Sequence, residues 1–144
     1  MSRRGRKNWK HLAVNKNIAK MLILHRVWNG LNQKKISEDQ GTTFQQYQKV
    51  EKCYNRIFAE QLFNICKSRG WNISLFFNSN PEELLEDWNR TKTKLDKLHW
   101  EKDPNNDGMT KLVSKKYEKI KKLFQHIDEV AESNYFKTER KINV

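Results

Sequence analysis

An all-α fold is what this sequence predicts, on three observations. Apolar residues recur at three- and four-residue spacing along much of the chain. Nothing in residues 12–77 alternates with a period of two over a useful length. The breaks between apolar runs carry helix stops and starts, namely Asn29-Gly30, Gly41, Gly70 and Asn80-Pro81. A chain of 144 residues has room for one domain with a modest core, plus an appendage. The expected architecture is a five-helix bundle followed by two C-terminal helices: a basic flexible arm over 1–14, the bundle over 15–80 and a helical region over 81–144.

The arm holds Arg3, Arg4, Arg6, Lys7 and Lys10, no acid and little to bury. It either follows phosphates or enters a minor groove, or it stays a solvated tail; Trp9 argues for partial docking. A first helix is expected over about 15–28, burying Ile18, Leu22, Leu24, Val27 and His25 or Arg26, and ending at Asn29-Gly30. Asn32 caps a second helix over 33–40 anchored by Ile36, and Gly41 makes the turn. Thr43 caps a third helix from Phe44 to about Lys52, its hydroxyl meeting the free amides of the first turn. A fourth, over 59–68, should bury Leu62, Phe63, Ile65 and Cys66, and a short apolar turn over 73–77 closes the unit.

Asn80-Pro81-Glu82-Glu83 starts the next helix, with proline at the first helical position and acids at the positive end of the dipole. Extended to about Glu101, it would bury Leu84, Leu85, Trp88, Leu95 and Leu98. Residues 103–108 form a linker that lacks the ligand pattern of a calcium loop. A last helix over 110–133 carries a seam of Val113, Tyr117, Ile120, Phe124, Ile127 and Ala131 at heptad-like spacing. Dimerisation and packing back on the chain are both open for that seam.

Chemistry concentrates on the third helix. At about 100° per residue, Tyr47 and Val50 point one way while Gln45, Gln48 and Lys49 point the other. Glutamine pairs bidentately with an adenine edge and lysine donates to guanine acceptors, so this face is either a base reader or a solvated polar face. Basic residues fall unevenly: 15 of 29 lie in residues 1–80 with 4 of the 17 acids, leaving 14 and 13 for the rest. That division suits a first part meeting a polyanion and a second meeting protein.

Several pieces in order resemble the lambda-repressor-like, Cro-type helix-turn-helix family, also called the xenobiotic response element family. They are Gly30-Leu31-Asn32-Gln33, Gly41-Thr42-Thr43, Glu51, Leu62, Ile65, Gly70 and the 74–77 segment. The run TFQQYQK, then Asn55-Arg56 and SLFF, looks like regulators common in alphaproteobacteria. The resemblance covers about 18–77 and implies a repressor-like transcriptional regulator that binds double-stranded DNA as a homodimer on a two-fold operator. It implies that Phe44, Gln45 and Lys49 face base edges, with Gln48 beside them. Phe44 either touches thymine methyls or packs. Gln33 would contact phosphate and steady Gln45, and Asn32, Thr43, Lys52, Asn55 and Arg56 would complete the backbone grip. Arg26 and Glu51 would form an internal ion pair. Two departures stand out. Gln40 replaces a leucine, and Cys53 replaces the glycine that ends the recognition helix; since cysteine takes positive φ reluctantly, the helix is expected to overrun toward Tyr54.

Cys53 and Cys66, without zinc-ligand spacing, are expected as reduced thiols of a cytoplasmic, nucleoid-associated protein. No apolar run suits a membrane span or signal peptide. His11, His25, His99 and His126 pair with no plausible nucleophile, so no catalytic residue, metal or cofactor is expected. The rival reading is an antitoxin or adaptor that meets a protein partner through the C-terminal helices.

Overall fold

The computed structural model describes the backbone of residues 2–102 and 115–130 and the side chains of residues 13–92 and 115–130. Among the described residues there are seven helices and no strand. They are α1 (Ser2–Trp28), α2 (Gln33–Gln40), α3 (Phe44–Glu51), α4 (Ala59–Arg69), α5 (Leu75–Asn78), α6 (Pro81–Lys102) and α7 over residues 115–130.

The fold is built around α1. Every residue from Ile18 to Val27 is buried, so this stretch is enclosed rather than amphipathic. Tyr47 and Val50 of α3, Leu62 and Ile65 of α4, Phe76 of α5, Leu85 of α6 and Ile120, Phe124 and Ile127 of α7 complete one core with it. Asn17 anchors α5 by donating to the carbonyls of Phe76 and Ser79, at 2.9 and 3.3 Å.

Two expectations are corrected, one on α1 and one on α4. The first helix was expected from about residue 15, but the backbone is helical from Ser2. Arginine and lysine are good helix formers, and extending a nucleated helix costs little, but a polar extension has no apolar period to betray it. The side chains of Arg3, Arg4, Arg6, Lys7 and Trp9 lie outside the described residues. The second correction concerns Phe63 of α4, which is 51% exposed with the Lys67 ammonium 5.9 Å from its ring. Leu62, Ile65 and Cys66 share one helix face, and residue 63 sits off it.

The C-terminal seam packs back. Ile120, Phe124 and Ile127 are at most 4% exposed and belong to the core around α1. Val113 and Ala131, like Leu95 and Leu98 of α6, lie outside the described residues. One buried ammonium joins the parts: Lys20 Nζ donates to Glu82 of α6 and, at 2.8 Å, to Asp128 of α7, and stands 5.6 Å from the Phe124 ring. Burial alone would lower the Lys20 pKa, but the two carboxylates raise it; burial would likewise raise that of Asp128, yet Lys20 and Lys16 hold it below the usual range. Tyr117 of α7 donates to Glu86 of α6.

Candidate nucleic-acid interface

The α2–α3 unit is defined by its ends. Asn32 Oδ1 accepts the Lys35 amide at 2.8 Å to start α2, and Gly41 ends it at φ 75°, a conformation that suits a residue without a Cβ. Thr43 Oγ1 accepts the Gln46 amide at 3.2 Å, and Gln46 Oε1 accepts the Thr43 amide at 3.4 Å. This reciprocal cap was legible as Thr-x-x-Gln, although only the threonine half was read. Gln40, standing where a leucine was expected, is buried and satisfied locally: its Oε1 accepts from Thr42 Oγ1 at 3.1 Å.

The expected overrun of α3 does not occur. Cys53 takes φ 63°, its amide donates to Val50 at 3.0 Å, and the Tyr54 and Asn55 amides both donate to the Lys49 carbonyl, at 2.9 and 3.2 Å. This is a Schellman closure, normally a glycine's role, and its hydrogen bonds together with the half-buried thiol outweigh the left-handed strain. Lys52, Asn55 and Arg56 are consequently exposed just beyond the end of α3. Burial pushes the Cys53 thiol up, and that of Cys66 to about 11; both are free cysteines.

Beneath the exposed face lies a polar network. Arg26 grips Glu51 with two guanidinium nitrogens, Nε to Oε2 at 2.6 Å and Nη2 to Oε1 at 2.9 Å, and sends Nη1 to the Leu31 carbonyl at 3.1 Å. Gln33 Nε2 donates to Glu51 Oε1 at 3.0 Å, and Gln33 Oε1 accepts from Gln48 Nε2 at 3.2 Å. One arginine thus ties α1 to α3 and to the strand of chain entering α2. Gln33 was expected to steady Gln45, but its partner is Gln48, one turn further on, which half-buries Gln48 and removes part of its freedom to face outward.

Gln45 and Lys49 are exposed on the side of α3 opposite the fully buried Tyr47. Phe44 is 39% exposed at the helix start. Asn32 and Thr43 are exposed, but their side-chain oxygens are already engaged in caps. His25 lies apart from this face, buried with its ring 4.8 Å from that of Phe76 and 5.1 Å from that of Trp88; Nδ1 is 2.8 Å from the Met21 carbonyl, and burial lowers its pKa. Among the described residues no group of three His, Cys, Asp or Glu side chains is placed to hold a metal, and no helix is long and apolar enough to cross a membrane.

No protein-family model matches the chain, and no solved structure matches it significantly. Curated relatives do. The chain is 39% identical over 64 residues to uncharacterized HTH-type transcriptional regulators of Sinorhizobium medicae and Rhizobium meliloti, covering 44% of this chain and 46% of each relative. It is 37% identical over 72 residues to another from Sinorhizobium fredii, half of each chain. The chain spans about half the length of the curated relatives it matches, and these distant relatives are HTH-type transcriptional regulators from rhizobia.

Proposed function

We propose that this chain is a sequence-specific DNA-binding transcriptional regulator, repressor-like, whose first five helices form a lambda-repressor-like unit with α3 as the major-groove reader. The observation that carries the reading is an exposed Gln45 and Lys49 on a helix that a hydrogen-bonded network, Arg26–Glu51–Gln33–Gln48, ties to α1 and α2. A reader works from a helix held in a defined frame before contact, and the network supports that reading by fixing α3. In this reading Gln45 and Lys49 address base edges and Phe44 meets thymine methyls. Asn32, Gln33, Thr43, Lys52, Asn55 and Arg56 grip the backbone.

The chain acts as a homodimer on a two-fold operator, two copies of α3 standing about 34 Å apart. Ile120, Phe124 and Ile127 of the α7 seam are buried within the chain, whereas Phe58, Phe63 and Phe77 are large apolar side chains left more than half exposed and support a dimer surface there.

Binding-site selection with the purified protein tests this. Enrichment of a palindromic sequence is the expected result. Gln45→Ala and Lys49→Ala should each relax the selected sequence at defined positions, at about 1–3 kcal/mol of discrimination per lost contact. Arg56→Ala should weaken all sequences alike. A library that emerges unenriched at every salt concentration would sink the reading.

A further inference from the structure

The near-neutral second half of the sequence conceals a segregated charge. On α7 the positions 115, 116, 119, 122, 123 and 126 fall within an arc of about 120° at 100° per residue. They hold Lys115, Lys116, Lys119, Lys122, Leu123 and His126, with no carboxylate. Of the acids of α7, Asp128 turns toward Lys16 and Lys20 on the opposite side, while Glu118 and Glu129 flank the arc on its Lys122 edge.

Lys115, Lys116, Lys119 and Leu123 of this arc form one wall of an open groove of about 860 Å³. The facing wall is the edge of the DNA-binding unit, with Asn32, Gln33, Lys34 and Phe44. Lys116 is already used structurally, donating to the Trp28 carbonyl at 3.1 Å. Lys115, Lys119 and Lys122 are exposed, and Lys34 across the groove is exposed as well. Lys34, Lys115 and Lys119 thus put three exposed ammonium groups on a groove whose lining holds no carboxylate, with Lys122 next along the helix, and a polyanion lying there would relieve their repulsion.

We infer that the lysine arc of α7 is a second backbone contact that grips phosphates of the same duplex α3 enters; this rests on the DNA-binding reading above. The groove opens at Gln33 and Phe44, the starts of α2 and α3, where the sugar-phosphate strand must pass when α3 sits in the major groove. Both walls therefore meet one strand. An acidic protein partner would answer the charge but not this placement.

The test is fluorescence anisotropy with the full-length chain and a labelled mixed-sequence duplex several helical turns long, titrated across a salt series. Lys115→Gln/Lys119→Gln/Lys122→Gln is compared with a control that removes lysines away from the groove, Lys67→Gln/Lys92→Gln/Lys121→Gln. Matching circular dichroism melts establish that each variant is folded. The groove variant should show a slope of log affinity against log salt less steep than the wild type by about 2–3, since each lost phosphate contact removes about 0.9. The control should change the slope by less than one contact's worth. Equal slopes for the two variants, with wild-type binding intact, overturn this inference alone. Absence of duplex binding by the wild type overturns the DNA reading and this inference with it.

Discussion

At one end of the buried half of α1 Arg26 is paired with Glu51; at the other, Lys20 is shared between Glu82 and Asp128. The side chains of Arg26 and Glu51 are 8% and 4% exposed. That of Lys20 is also 8% exposed, but Glu82 and Asp128 are 50% and 39% exposed. Both ends bury a cation; only one buries the anion with it. In the first case neither charge can return to water without opening the core. In the second the carboxylates stay hydrated, and the attraction is screened by salt. α3 is therefore fixed to α1 by a rigid pair, and the C-terminal helices by an adjustable one.

The sharpest challenge to that contrast is Glu51→Ala. It strands the Arg26 guanidinium in the core and leaves Gln33 without an acceptor, for a loss of about 3–5 kcal/mol. Urea unfolding reads it, and the loss should hardly vary with salt. At the other end Lys20→Met keeps the aliphatic packing and should cost less, about 1–2 kcal/mol, because both carboxylates can rehydrate. Here the difference from wild type should shrink as salt rises. An equal or larger loss at Lys20 would break the comparison.

Asp128 sharpens it by pH. Its folded pKa lies below the ordinary 3.8, so its contribution is complete above that value and is lost as pH falls through the folded one. Asp128→Asn should accordingly remove part of the acid-induced loss of stability below about pH 4. The smallest expected effect is at the end of α3. Cys53→Gly removes left-handed strain of about 1–2 kcal/mol but gives up a half-buried thiol and adds backbone freedom, for a net gain of about 0.5 kcal/mol in thermal unfolding.

Where local chemistry decides, the fold was legible. Asn32, Gly41, Thr43, Gly70 and Pro81 mark the ends of α2, α3, α4 and α6 to within a residue, since caps and turns act over a few bonds. Partnership was not. The heptad spacing of Ile120, Phe124 and Ile127 is a true apolar stripe, but a stripe does not say what it lies against. The wheel likewise gave Gln48 a direction and could not give it Gln33 as a neighbour. The Arg26–Glu51 pair came through resemblance, because a sequence separation of 25 carries no local signal. Net charge concealed the lysines of α7 by averaging them with the acids of the same region.

Lys116 differs from the lysines beside it. Lys115, Lys119 and Lys122 act as charges and can trade places along a polyanion, but the Lys116 ammonium sits on the last carbonyl of α1. Over evolutionary time the first three should be free to drift as long as their number is kept. The fourth is tied to one atom, so a neighbouring lysine cannot stand in for it.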